Sequence, residues 1–332
     1  MKLVTCLVAG LVLLGPAACS ATVPGAPAPT TAPTAGPGAA PPSRPAFGPY
    51  LDTSMPIPDL QTLAETTGLK HVVLSFALAK DNSCTPAWDD GEAIESLRGT
   101  IDAFRAVGGS VTIATGGAEG TYLEVACTTP ADLAGAYTKI LDASGTNLLD
   151  IDIEHDVQID KVIDALGQVQ RARGTDITLT LPVDLAGLGP GQLNLVKKAA
   201  ATNVAIRVNI MNMNFEASGD RGKALVRAAR AMLAQLRKVY PNATAAEQNR
   251  MLSITLMIGR NDTGEITRAA DVQTVLDFAK ANGVGRVGFW SLGRDRGTCP
   301  GQAEAQPDCS GIAQTDYQFT KQFAAFSGPT PD

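Results

Sequence analysis

The chain has 332 residues, of which 45% are hydrophobic, so it can bury a large core as a single domain. Its 27 basic and 33 acidic side chains give a formal net charge of −6 at pH 7. This balance argues against a nucleic-acid partner and against a basic patch for a membrane surface, whereas a neutral, polar substrate is compatible with it.

Residues 1–19 have the pattern of an export signal. Lys2 is followed by an apolar run over residues 3–14, which is too short for a lasting membrane span. The segment can end in ordinary cleavage after small residues or at Cys19, which resembles the acylated cysteine of bacterial lipoproteins, although Pro16 departs from that signal. We favour the lipid anchor because a proline-rich spacer follows directly. The sequence therefore predicts an exported protein, either a bacterial cell-surface lipoprotein attached to the membrane through Cys19 or a secreted one.

Residues 20–46 are nearly all Ala, Pro, Thr and Gly. Such a segment cannot bury enough apolar surface to order itself, and its prolines favour an extended chain. We therefore expect a disordered linker at residues 20–46, followed by one folded domain at residues 47–328.

Eight short apolar segments indicate β-strands. They lie at residues 48–54, 70–78, 110–116, 147–154, 176–183, 204–214, 252–259 and 286–292. Apolar residues spaced as on one face of a helix separate them, for example over residues 159–169 and 225–239. Eight strand–helix repeats favour an α/β fold, a single (β/α)8 TIM barrel, over a doubly wound sheet, which usually has fewer strands.

The fourth predicted strand carries three carboxylates. Strict alternation places Asp150, Asp152 and Glu154 on one face and the intervening aliphatic residues on the other. A strand this apolar belongs inside a sheet, where unpaired carboxylates are costly, so a half-solvated edge strand fits poorly. Glu154 closes the strand at its C-terminal end, where such barrels place their active sites.

Two functional interpretations of the carboxylates remain: a metal site or an acid/base site. Carboxylate metal sites usually recruit several histidines or further carboxylates, and the whole chain has only His71 and His155. Like charges at such spacing cannot all ionise cheaply, so at least one carboxyl should hold a proton near neutral pH. This favours the acid/base interpretation.

Residues 147–154 resemble the D-x-x-D-x-D-x-E strand of family 18 glycoside hydrolases, the chitinase family, with Asn147 in place of the first Asp. The resemblance extends over about residues 48–326 and is closest to the compact bacterial chitinases. Three further segments resemble the sixth, seventh and eighth strands of that family: residues 208–215, 256–262 and 289–296.

The resemblance implies hydrolysis of β-1,4 linkages in chitin or its oligosaccharides with net retention and no cofactor. Glu154 would be the general acid and base. The substrate's 2-acetamido oxygen would replace a protein nucleophile, giving an oxazolinium ion. Asp152 would orient the acetamide and stabilise the positive charge, then share its proton with Asp150.

The sixth strand departs from the family pattern, which commonly supplies a Tyr hydroxyl and an Asp for the acetamide. This chain instead has Met211, Met213, Asn214 and Phe215 as candidate substrate contacts. Asn214 can still hydrogen-bond, but Met213 and Phe215 can donate nothing. One missing hydrogen-bond donor typically costs on the order of a hundredfold in rate. The sequence is therefore compatible with reduced activity and with no activity.

Other substrate contacts follow from the resemblance. Trp290 would form the floor of the sugar subsite, unless it is an ordinary core residue. Gly116 and Gly117 would let the sugar or the acid approach closely, unless they form a plain turn. Tyr50 and Tyr122 are the candidates for a replacement phenol.

The predicted domain contains four cysteines: Cys84, Cys127, Cys299 and Cys309. An even number is typical of an exported protein, and three pairings are possible. We favour Cys84 with Cys127, because both should follow neighbouring strands on the same barrel face. Cys299 and Cys309 would then close one loop after the eighth strand.

The sequence is compatible with three functions: a chitinase, an endo-β-N-acetylglucosaminidase on other GlcNAc-containing glycans, and a sugar-binding protein of weak or no activity. Aromatic residues make up only 5% of the chain, too few for the platform that crystalline chitin would need. We therefore expect a soluble chitin or GlcNAc-containing oligosaccharide as the partner of a monomer.

Overall fold

The computed structural model describes residues 45–89 and 91–326. Residues 1–44 lie outside the described residues. They include the predicted signal peptide at 1–19 with Cys19, and all but the last two residues of the predicted linker at 20–46. Among the described residues, no helix is both long enough and apolar enough to cross a membrane.

Eight parallel strands form the wall of a barrel, each paired with the next in chain order. They are β1 (Tyr50–Asp52), β2 (His71–Ala79), β3 (Ser110–Gly116), β4 (Leu148–Asp152), β5 (Asp176–Asp184), β6 (Ile206–Met211), β7 (Leu252–Met257) and β8 (Arg286–Trp290). A parallel bridge between Phe47 and Val287 links the chain ahead of β1 to β8. The predicted TIM barrel is therefore confirmed.

Helices connect the strands on the outside of the barrel. They are α1 (Leu60–Thr67), α2 (Arg98–Ala106), α3 (Leu123–Ala126), α4 (Pro130–Ser144), α5 (Ile159–Arg173), α6 (Pro190–Ala201), α7 (Arg221–Val239), α8 (Ala245–Met251), α9 (Ala269–Asn282) and α10 (Gln318–Ala324). The boundaries follow local chemistry: α4 starts with a capping box between Thr129 and Asp132 and ends at Gly145, whose φ of 62° suits glycine. The apolar faces predicted for α5 and α7 are buried.

The β4 strand shows how the core is divided. Leu149, Ile151 and Ile153 are buried in the hydrophobic cluster between the sheet and the helices. Asp150 and Asp152, on the alternate face, point into the barrel. The interior of the barrel is therefore polar around these two carboxylates, while the apolar layer lies outside the sheet.

Short additional strands and turns lie outside the eight-stranded barrel. Two-residue and three-residue strands lie at Pro86–Trp88, Gly187–Leu188, Gly259–Arg260 and Ile266–Thr267, and 3-10 turns at Lys80–Asn82 and Leu292–Arg294. The first of these strands runs antiparallel to β2, and the second runs antiparallel to β5.

Both predicted disulfides are present. Cys84, in the loop after β2, bonds to Cys127 at the C-terminal cap of α3, which follows β3. Cys299 and Cys309 close the loop after β8. The first disulfide links the connections that follow two neighbouring strands, at the end of the barrel where the candidate site lies.

Candidate active site

The three carboxylates on and just beyond β4 lie along the barrel interior towards the C-terminal end of its strands. Asp150 and Asp152 are 2% and 4% exposed, and Glu154 is partly exposed. The strand itself ends at Asp152, two residues before Glu154, so it is slightly shorter than predicted. Asp152 and Glu154 line a cavity of about 120 Å³ at the barrel mouth.

The lining of this cavity combines acids, amides and apolar side chains from several strands. It consists of Tyr50, Phe76, Ala118, Asp152, Glu154, Thr180, Met211, Met213, Asn214, Thr255, Asp262 and Trp290. The structure thus brings together six residues that the sequence assigned to one site: Asp152, Glu154, Met211, Met213, Asn214 and Trp290.

Asp150 lies beneath the cavity in a buried network of hydroxyl and amide groups. Tyr50 Oη donates to Asp150 Oδ2 over 2.5 Å, and Thr180 Oγ1 donates to Asp150 Oδ1 over 2.6 Å. Asn209 Nδ2 lies 3.1 Å from both hydroxyl oxygens, and Thr255 Oγ1 donates to Asn209 Oδ1. Burial raises the pKa of Asp150 to about 6, although the two hydroxyl hydrogen bonds oppose the shift.

Asp152 differs from Asp150 in that one of its oxygens has no partner. Its Oδ1 atom is buried without a hydrogen-bond partner, although the residue lines the cavity. Burial raises the pKa of Asp152 well above its usual range, and the charges of Glu154 and Asp150 raise it further. Both influences favour the protonated form of Asp152, as expected for three neighbouring carboxyls that cannot all ionise cheaply.

Glu154 is the most exposed of the three acids, and its pKa is also raised. Burial raises its pKa; His155 lowers it, and the Asp262 carboxylate raises it. His155 itself is exposed, with Nε2 2.9 Å from the carbonyl oxygen of Ala118. Its ring therefore faces the loop after β3. Among residues 45–89 and 91–326, no group of three or more His, Cys, Asp or Glu side chains is arranged to hold a metal ion.

The segment after β6 supplies the opposite wall of the cavity. Asn214 and Asp262 form a reciprocal pair: Asn214 Nδ2 donates to Asp262 Oδ2 over 2.8 Å, and the Asp262 amide donates to Asn214 Oδ1 over 3.0 Å. This pairing fixes which way the Asn214 amide points. Asp262 was not predicted as a site residue, although it ends the segment that resembles the seventh strand.

Phe215 is not a cavity residue, in contrast to its assignment from sequence. It is 9% exposed and belongs to the hydrophobic core, where the Arg221 guanidinium lies 4.8 Å from its ring centroid. The reason is local: β6 ends at Met211 and Asn214 has a φ of 54°, so the alternation of a strand no longer applies.

Neither candidate phenol has a free hydroxyl at the cavity. The ring of Tyr50 lines the cavity, but its hydroxyl is engaged in the network around Asp150. Tyr122 is 2% exposed, and its hydroxyl donates to the Gly117 carbonyl and accepts from the backbone amide of Glu154. The donor missing from the sixth strand is therefore not replaced by these tyrosines.

An aromatic floor lies beside the acids. Trp290, partly exposed at the end of β8, stacks with Phe76 at a centroid distance of 5.9 Å and an interplanar angle of 18°. Tyr50 packs at a tilt against the same indole. Phe76 was not predicted, because it lies in a continuous apolar strand in which no residue stands out.

Gly116 and Gly117 do not line the cavity, in contrast to their assignment as substrate contacts. A Cβ at Gly116 would lie 1.8 Å from the carbonyl oxygen of Asp152, and one at Gly117 would lie 2.6 Å from the Phe76 ring. Both have positive φ angles, 88° and 96°. What approaches these glycines is the backbone of Asp152 and the ring of Phe76.

Comparison with known proteins finds similarity to chitinases. No family model matches the sequence. The chain is 31% identical over 310 residues to the probable bifunctional chitinase/lysozyme of Escherichia coli (strain K12), covering 85% of this chain and 34% of that protein. It is 32% identical over 272 residues to endochitinase 11 of Metarhizium anisopliae, covering 75% of this chain and 52% of that protein. The chain thus spans about a third and about half of these curated relatives.

One solved structure matches this chain over nearly the full length of the solved domain. It is active domain 2 of the thermostable chitinase from Pyrococcus furiosus, described as catalytic-site mutants complexed with chito-oligosaccharides. The two chains superpose with a TM-score of 0.80 at 33% identity, and the match covers 84% of this chain and 93% of that domain. Together with the carboxylate signature on β4 and the barrel around it, this similarity shows that the chain belongs to family 18 of the glycoside hydrolases, the chitinase family.

Proposed function

We propose that this protein hydrolyses β-1,4 linkages in chitin or chitin oligosaccharides. The observation that carries the proposal is the pair of acids at one cavity: buried Asp152, which has a raised pKa and an unpartnered oxygen, and partly exposed Glu154. The names of the relatives and the oligosaccharide complexes of the Pyrococcus domain support the same substrate class.

In the proposed first step, Glu154 donates its proton to the glycosidic oxygen. The bond between this oxygen and the anomeric carbon breaks, while the 2-acetamido oxygen of the same sugar attacks that carbon and forms an oxazolinium ion. The raised pKa of Glu154 suits this role, because the carboxyl must still be protonated when substrate binds.

In the second step, Glu154 acts as the base. It removes a proton from water, which attacks the anomeric carbon and reopens the oxazolinium ring. Two inversions at the same carbon leave the β configuration of the substrate. The unpartnered Oδ1 of Asp152 accepts a hydrogen bond from the acetamide N–H. Asp152 passes its own carboxyl proton to Asp150 below, and its negative charge then stabilises the positive charge of the oxazolinium ion.

Asn214 is the proposed donor to the acetamide oxygen in place of the absent phenol. Its amide nitrogen carries two hydrogens, one of which goes to Asp262 Oδ2. Because the reciprocal pair holds the amide plane, the second N–H is available on the side of the cavity that Asn214 lines. An amide is a weaker hydrogen-bond donor than the tyrosine that is common in the family. We therefore expect a lower rate than in family members that have the tyrosine.

A fluorogenic chitobioside tests the proposal. Turnover by wild type that disappears in Glu154→Gln supports it, and absence of turnover by wild type at high enzyme concentration contradicts it. The missing phenol favours a second candidate, a sugar-binding protein of little or no activity, which predicts binding of chitotetraose without cleavage. Comparing chitotetraose with a high-mannose glycan separates a chitinase from an endo-β-N-acetylglucosaminidase that acts on other glycans.

We also propose that the protein works outside the cytoplasm, held at the cell surface through lipidated Cys19. The two disulfides support export, because such bonds persist in oxidising compartments. A tethered enzyme with a small aromatic platform suits soluble oligosaccharides that diffuse to it.

A further inference from the structure

The backbone that carries Glu154 has left the sheet. The β4 ladder ends at Asp152, and the last bond to β5 runs from the Ile153 amide to the Thr180 carbonyl over 2.9 Å. The Glu154 amide therefore has no strand partner on either side. It donates instead to the hydroxyl of Tyr122 over 3.1 Å.

Tyr122 uses the same hydroxyl to bind the end of β3. Its Oη donates to the Gly117 carbonyl, and the Gly117 amide donates to the Asp152 carbonyl over 3.1 Å. One buried oxygen thus joins the backbone of the acid to the backbone of the neighbouring strand. Burial raises the pKa of the Tyr122 hydroxyl above its ordinary value, so it stays protonated and keeps donating at any working pH.

The segment around Tyr122 is itself anchored on three sides. The Thr121 carbonyl accepts from the Ala79 amide at the end of β2, over 2.9 Å. Five residues beyond Tyr122, Cys127 is bonded to Cys84, and its carbonyl accepts from Lys161 Nζ over 2.7 Å. These attachments tie the segment that carries Tyr122 to the second and fourth strand–helix units.

We propose that Tyr122 is a positioning residue for the acid, acting through the backbone of Glu154. The inference rests on the proposed function, in which the Glu154 carboxyl must reach the glycosidic oxygen. Without the hydroxyl, the first residue beyond Ile153 loses its anchor to β3, and the carboxyl shifts relative to Asp152 and the sugar. A displacement of about 1 Å at a reacting group costs roughly a hundredfold in rate, so even a partial shift is measurable.

The test compares Tyr122→Phe with a matched control, Tyr137→Phe. Tyr137 is also buried, and its hydroxyl donates to the buried Glu124 Oε1 over 2.7 Å, whereas the Glu154 amide is bonded by Tyr122. Tyr122→Phe loses two hydrogen bonds of a buried phenol and Tyr137→Phe loses one, so both variants should unfold at a somewhat lower temperature. With the fluorogenic chitobioside, Tyr122→Phe should lower kcat about tenfold or more with KM within about twofold. Tyr137→Phe should leave kcat within about twofold of wild type.

Two results would overturn the proposal: a kcat for Tyr122→Phe equal to that of wild type, or an equal fall in kcat in both variants. If Tyr122→Phe does not fold, 4-aminophenylalanine at position 122 serves instead. Its amino group keeps a donor for the Gly117 carbonyl but is a poor acceptor for the Glu154 amide, so kcat should still fall, and an unchanged kcat again refutes the idea. Failure of the proposed function is distinguishable, because wild type would then show no turnover in the same assay.

Discussion

Replacement of Asp152 by Asn should lower the rate of hydrolysis but raise the stability of the folded protein at neutral pH. The amide has the shape of the protonated acid, and its oxygen can still accept the acetamide N–H at the position of the unpartnered Oδ1. What the variant lacks is the ability to become negative as the oxazolinium charge develops. Its effect on the rate therefore isolates the charge of Asp152 from its hydrogen bond.

The expected loss of rate is that of one electrostatic stabiliser in a water-poor site. Removing such a group costs about 10²–10³ in kcat, or about 2.7–4 kcal/mol of transition-state stabilisation. Stability should respond differently. Because the folded state raises the pKa of Asp152 above its ordinary 3.8, wild type loses stability as the pH rises from about 4 through the folded pKa. The neutral amide does not, so the variant should gain stability relative to wild type between pH 4 and pH 8.

The assays are kcat on the fluorogenic chitobioside and urea unfolding at pH 4 and pH 8. Asp156→Asn is the matched control, since Asp156 is exposed two residues beyond Glu154 and should change neither quantity. Near-normal turnover by Asp152→Asn would refute the role given to its charge. A difference in stability from wild type that stays constant between the two pH values would refute the buried, protonated state.

Three further predictions follow from the same geometry. Glu154→Gln should abolish hydrolysis yet bind chitotetraose within a fewfold of wild type by calorimetry, because the amide keeps the shape without the proton; turnover by the pure variant contradicts the assignment. Met213→Tyr should raise kcat by up to about a hundredfold by restoring a phenol at the cavity, whereas Phe215→Tyr, buried beneath Arg221, should not; equal responses would show that the cavity wall is misassigned. Cys19→Ser should release the exported protein from the membrane fraction, and an unchanged distribution on immunoblots of fractionated cells argues against a lipid anchor.

The barrel and its acids were predictable because their signals are periodic. Alternation alone predicted that Asp150, Asp152 and Glu154 share one side. The structure directs Asp150 and Asp152 into the barrel and places Glu154, two residues beyond β4, at the same cavity as Asp152. Apolar segments marked all eight strands for the same reason. The pairing of Cys84 with Cys127 followed once the strand order was known, since both lie in connections after adjacent strands.

The residues that were missed or misplaced depend on contacts that no local pattern encodes. Thr180 reaches Asp150 only because β5 lies beside β4, and a threonine in a strand has no signal of its own. The pairing of Asp262 with Asn214 requires two loops to meet across the barrel mouth. Phe215 was misassigned because the chain turns at Asn214, where a positive φ ends the alternation on which the assignment depended.

In the proposed hydrolysis, the substrate's own acetamide is the nucleophile and Glu154 serves as both acid and base. The most direct measurement is proton NMR of chitotetraose during the first minutes of cleavage, before the released anomers equilibrate. We expect the new reducing end to appear first as the β anomer, through two inversions at one carbon. An α anomer appearing first would contradict substrate assistance and, with it, the roles of Asp152 and Asn214.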